Sequence, residues 1–147
     1  MGIRPKCECI PSAFKAVQSF NQAVTALSFV QVPYSNEIFD LNDEYLTPTF
    51  TPQQDGTYTI LASAAFNPAN VNADSFIGIQ IRVNGITVAQ GNEGYVAGMG
   101  NVVVDVSSIE QLNAGDMVEI FVQAGSNGTI FLGPGTRFQA ARFTFES

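Results

Sequence analysis

Phe50-Thr51-Pro52-Gln53-Gln54-Asp55-Gly56-Thr57-Tyr58 holds the plan of this chain in nine residues. A Phe-Thr pair ends one strand, a polar turn follows, and from Gly56 apolar groups alternate at Tyr58, Ile60, Ala62 and Ala64. Alternate residues of a strand share a face, so this spacing predicts a strand over 57–66 with one buried side. A second turn, Asn113-Ala114-Gly115-Asp116, feeds Val118, Ile120 and Val122 in the same way, with Phe121 on the opposite face. Between them, Phe76 to Val83 alternates Ile77, Ile79, Ile81 and Val83 against Gln80 and Arg82, and runs into Asn84-Gly85. Asn-Gly is the strongest two-residue hairpin signal, because both residues accept positive φ.

Outward from these segments the same grammar repeats. Phe29 to Val32, Ile86 to Ala89, Asn101 to Ser107, Thr129 to Leu132 and Phe138 to Phe145 read as strands. Tyr34 to Asp43 reads as a polar connection, Gly91 to Gly100 as a glycine-rich loop, and Gly133 to Gly135 as a turn. Residues 14–24 fit either helical spacing or a strand plus loop. Eight to ten short strands with turns every ~8–12 residues describe an all-β sandwich. The domain is expected over 14–147, after an N-terminal tail at 1–13.

Composition narrows the function classes. The chain has 147 residues, 46% hydrophobic and only 13% charged, with a net charge of −7. That suits one domain with a sizeable core, and the poorly charged surface suits a subunit with large buried interfaces. No basic cluster with interleaved aromatics is present, so nucleic acid is not an expected partner. No apolar run approaches the ~20 residues that span a bilayer, and residues 1–11 contain no apolar core of a signal peptide. His is absent, which removes Ser-His-Asp and Cys-His catalysis. The carboxylates of Asp40, Asp43 and Glu44 cluster in one connection, read as a solvated polar loop. No enzyme is expected. Cys7 and Cys9 are the only cysteines. They are read as free thiols or as partners in interchain disulfides.

Taken in chain order, the residues resemble the C1q/TNF-like superfamily, specifically the globular C1q head. The resemblance rests on Phe14, Phe29, Asn36, Tyr45, Phe50-Thr51, Gly56, Tyr58, Asn84-Gly85, Leu112, Gly115-Asp116, Val118, Ile120 and Thr136-Arg137-Phe138. Thr47-Pro48 and Ala140 depart from the family pattern, which has Thr-Gly and Gly there. In character the chain is similar to bacterial C1q-like heads, such as those on spore-surface collagen-like proteins, although it carries no Gly-X-Y run. The resemblance implies a ten-stranded jelly-roll β-sandwich that assembles as a homotrimer. It implies an extracellular or spore- or cell-surface role in recognition or structural assembly, with a surface glycan or a protein as ligand.

Tyr58, Phe121, Phe143 and Phe145 are the expected aromatic trimer interface. Some C1q heads bind calcium, the one cofactor that the resemblance allows, and Asp74, Glu93, Asp105 and Asp116 are the candidate oxygen ligands. Two other function classes stay open: a trimeric receptor-binding or structural head of a phage or virion fibre, and a small-molecule or glycan-binding sandwich.

Overall fold

The computed structural model describes residues 10–144. Thirteen strands follow one another with no helix among the described residues: β1 Ala13–Gln18, β2 Gln22–Val24, β3 Phe29–Gln31, β4 Asn36–Asp40, β5 Tyr45–Leu46, β6 Thr49–Phe50, β7 Gly56–Pro68, β8 Ser75–Val83, β9 Ile86–Tyr95, β10 Val102–Leu112, β11 Val118–Ala124, β12 Gly128–Ile130 and β13 Gly133–Arg142. They form two antiparallel sheets. Sheet one runs β2-β12-β7-β13-β1-β4, with β10 on the other side of β7. Sheet two runs β5-β6-β11-β8-β9, with β3 also on β11. Neighbours in the sheets are mostly distant in the chain, the crossing pattern of a jelly roll.

Period-2 alternation fixes which side of each strand faces the other sheet. In β11 the pattern is strict: Val118, Ile120, Val122 and Ala124 are buried and the residues between them are half-buried. In β8, Ile77, Ile79 and Ile81 are buried. They meet Tyr58, Ile60, Ala62, Ala64 and Phe66 of β7 in one core. Its most aromatic part surrounds Phe14, which stacks on Tyr45 at 4.7 Å and on Phe50 at 4.8 Å and meets Phe138 edge-on at 4.9 Å. The 50–58 stretch thus enters the core twice, at Phe50 and at Tyr58, whose rings lie 5.8 Å apart.

The Asn84-Gly85 hairpin forms as expected, with φ of 52° and 82° at the two residues. Three loop expectations give way to strand. Residues 36–40, read as part of a polar connection, pair with β1 as an edge strand. Residues 133–135 belong to β13. Gly91 to Tyr95 continues β9. There the glycine serves close approach rather than a turn: a Cβ on Gly91 would lie 2.2 Å from the Asp105 carbonyl oxygen of β10. Gly56, read as the pivot of a turn, opens β7. It makes room for the Arg142 stem, whose Cδ would lie 2.7 Å from an added Cβ. The segment 14–24 resolves as strand and loop, not helix.

Candidate functional site

The outer face of sheet one is built from the residues of β10, β7, β13, β1 and β4 that alternate with the core. Cross-strand register lines them up in rows. Ser107 lies opposite Leu61, Leu61 opposite Gln139, Gln139 opposite Lys15, and Lys15 opposite Phe39. The next row is Ile109, Thr59, Ala141 and Ala13. Lys15 is the only charge in the two rows. Small side chains between larger ones leave a shallow depression of about 310 Å³ over Ala13, Lys15, Phe39, Thr59, Leu61 and Gln139. Large apolar groups stand around it: Ile109 is 64% exposed, Phe143 48% and Phe39 43%. Exposed apolar groups gathered on one face make that face a candidate for an interaction, which scattered ones would not.

The outer face of sheet two has a different construction. Glu119 Oε2 accepts from Gln31 Nε2 and from Thr49 Oγ1, both at 2.8 Å. The Arg82 guanidinium sits 4.0 Å from the Phe121 ring centroid and 4.9 Å from that of Phe29. Its Nε donates to Gln80 Oε1 at 3.0 Å, which also accepts from Thr87 Oγ1 at 3.0 Å. The charges here are engaged within the chain, by hydrogen bonds and by the cation–π attraction of the rings.

A buried polar cluster closes the base of the sandwich. Glu44, 5% exposed, accepts from Ser12 Oγ at 2.5 Å and from the Gln53 N–H at 2.7 Å. The buried Arg142 donates to Gln54 Oε1 and to the Ile10 carbonyl. Ile10 to Ser12, expected in the tail, are thereby bonded into the domain, and β1 opens at Ala13. Asp40 accepts from the Glu44 and Tyr45 N–H groups at 3.1 and 2.7 Å. The acidic connection is therefore a bonded turn, with Asp40 and Glu44 holding backbone and hydroxyl groups. Burial pushes the Tyr34 and Tyr58 hydroxyls above their ordinary range and Tyr45 up to about 12. All three hydroxyls donate to backbone carbonyls: Tyr34 to Ser63, Tyr45 to Pro33 and Tyr34, and Tyr58 to Gln54.

The expected interface residues separate. Tyr58 is fully buried in its own core and has no surface to offer a neighbour. An aromatic at an alternating position goes to whichever side holds the other sheet, and for Tyr58 that side is Phe50. Phe121 lies on the outer face of sheet two beneath Arg82, away from sheet one. Phe143 follows β13 on the same side as Ala141, and its N–H donates to Thr57. Phe145, Cys7 and Cys9 lie outside the described residues. Leu61, Phe39 and Ile109 were not singled out from sequence. One signal for them was available: no charged residue occurs from Gly56 to Ala73, so the outward side of the longest strand is as neutral as its inward side.

The calcium ligands do not converge. Among the described residues no three of His, Cys, Asp and Glu come together as a metal site. Asp74 accepts from the Ala97 N–H at 2.9 Å, and Asp116 from the Asn113 N–H at 2.8 Å and Asn84 Nδ2 at 3.0 Å. Glu93 is on β9 opposite Ile77, and Asp105 on β10 opposite Ser63. Asp74 and Asp116 are held by amides near their turns, while Glu93 and Asp105 are fixed in different strands, so the four carboxylates do not gather. Among the described residues no helix is long and apolar enough to cross a membrane.

No protein-family model matches the chain, and no curated protein matches it in sequence. Solved structures do. Murine APRIL at pH 5.0 superposes with a TM-score of 0.68 at 12% identity, covering 90% of this chain and 99% of that one. The globular domain of zebrafish complement 1qA protein gives a TM-score of 0.61 at 15% identity, covering 93% and 99%. The chain therefore has the C1q/TNF-like jelly-roll fold.

Proposed function

We propose that this chain is a non-enzymatic C1q-like head that assembles as a homotrimer through the outer face of sheet one and serves recognition or structural assembly at an extracellular or spore or cell surface. The observation that carries it is the two-row face around Leu61, which holds one charge and a shallow depression among the exposed side chains of Ile109, Phe143 and Phe39. Obligate interfaces often bury more than ~2,000 Å² and resemble a divided core. The C1q-like resemblance supports the stoichiometry. Phe143 remains in the interface, and Leu61, Phe39 and Ile109 join it. A trimer would carry three times the net charge of −7, which keeps its outside soluble and turns away anionic partners.

Sedimentation equilibrium at micromolar concentration tests the assembly. The expected result is a single species of three times the protomer mass. A stable monomer under those conditions overturns it.

A further inference from the structure

A second, smaller depression lies on the outer face of sheet two, where β3, β8, β9 and β11 come together. It holds about 210 Å³ and is lined by Phe29, Gly78, Gln80, Gln90, Asn92 and Gln123, with backbone of Ile79 and Gly91. No lining side chain is charged. The nearest cation, Arg82, is held over the Phe121 and Phe29 rings and by Gln80. The depression thus presents no free charge to pair with a phosphate or a carboxylate and no carboxylate to hold a metal ion.

What it does offer is amides. Each Gln or Asn carries one carbonyl acceptor and two N–H donors on adjacent atoms. Gln80 Oε1 is taken by Arg82 and Thr87, and Gln123 Nε2 donates to the Leu27 carbonyl at 2.9 Å. The Gln80–Gln90 contact is long, at 3.5 Å. These bonds fix Gln80 and Gln123 in place and leave Gln123 Oε1, Gln90 Nε2 and the Asn92 amide for a ligand. The floor is bare backbone. A Cβ on Gly78 would lie 2.8 Å from Asn92 Oδ1, so the Asn92 side chain lies across a space that only glycine leaves. At the rim, the Phe29 ring is 46% exposed.

Neighbouring donor–acceptor pairs match neighbouring hydroxyls, and an exposed ring matches an apolar C–H face. From these features we infer that this depression is a binding site for a neutral saccharide, one pyranose ring seated among Gln90, Asn92 and Gln123 and stacked against Phe29. Its neutrality agrees with the acidic net charge, which disfavours anionic ligands. The site lies within one subunit, so it deepens the recognition part of the proposed function without depending on the trimer.

The test follows the side-chain amide NMR signals of Gln80, Gln90, Asn92 and Gln123 during titration with glucose, galactose, mannose and N-acetylglucosamine. N-acetylneuraminic acid serves as the anionic control. At least one neutral sugar is expected to shift these signals saturably, and the acidic sugar is not. Gln90→Ala and Asn92→Ala, on the exposed edge strand, should each weaken binding about tenfold, the loss of roughly one hydrogen bond. Asn101→Ala, in the β9–β10 connection, should leave it unchanged. The inference is overturned if no neutral sugar moves the four amides. It is equally overturned if Gln90→Ala and Asn92→Ala, with unaltered melting temperatures, bind as the parent does. Sedimentation of the same samples separates the two readings: a trimer without sugar shifts refutes only the saccharide site, and a monomer with them refutes only the assembly.

Discussion

Each sheet gives one face to the shared core and turns the other outward, and the two outward faces are made of different material. On sheet two the outward groups are long and polar, and they bond to each other: Glu119 to Gln31 and Thr49, Arg82 to Gln80 and two rings. On sheet one, apolar Leu61, Phe39, Ile109, Ala13 and Ala141 stand among Ser107, Thr59, Gln139 and Lys15, and Lys15 is the one charge in these two rows. Polar groups that bond one another on the surface lose little by staying in water. Apolar groups gain by leaving it, at about 25 cal/mol per Å². The first arrangement suits a face left in water, and the second suits the proposed contact with another copy.

The largest expected effect comes from placing the same charge on both faces. Leu61→Asp would bury an unpaired carboxylate in the proposed interface, at roughly several kcal/mol, and should convert the trimer to monomer in sedimentation. Phe121→Asp puts its carboxylate beside the Arg82 guanidinium on the half-buried outer side of sheet two and should leave assembly intact. Loss of the trimer in Phe121→Asp, with Leu61→Asp still trimeric, would reverse the assignment of the two faces.

Alkaline stability separates the faces from the core they share. Tyr45 ionises near 10 when unfolded and at about 12 when folded. Between those values the unfolded chain loses its proton first, so folding stability declines as pH rises from 10 to 12, by on the order of 2 kcal/mol. Tyr34 and Tyr58 shift in the same direction. Urea unfolding of the Leu61→Asp monomer should show the same downward slope above pH 10 as the parent. A flat profile would mean that the tyrosines are not held in the protomer core.

The smallest effect belongs to the laced face. Glu119→Ala removes the acceptor for Gln31 and Thr49 and should lower stability by about 1–2 kcal/mol while the sedimentation of the trimer stays unchanged. A dissociated Glu119→Ala would show that sheet two also takes part in assembly.

Much of the sandwich was legible because burial in a two-layer β fold follows period 2 directly. Ile77, Ile79, Ile81, Val118, Ile120 and Val122 could be placed inward from their spacing, and Asn84-Gly85 announced its hairpin through the positive φ that both residues accept. Strand limits were less legible where glycine served packing. Gly91 reads as loop in sequence, yet it is the only residue type that fits against the Asp105 carbonyl. The proposed interface was legible only in part. Aromatic residues draw attention because they bury the most area, but Tyr58 spends that area on Phe50 and Phe121 on Arg82. Leu61, Thr59 and Ala141, individually unremarkable, become a surface only when β7 and β13 place them side by side.

By itself, then, the sequence determined which residues of each strand point inward, the two-layer β architecture, and a composition in which only 13% of residues are charged. Alternation distinguishes the two sides of a strand but carries no information about which sheet the strand joins or what lies beside it. Only the tertiary structure decided that Gln31 meets Glu119, 88 residues away, while Leu61 meets nothing but neutral neighbours. That long-range register sorts the outward residues into a laced face and a bare one.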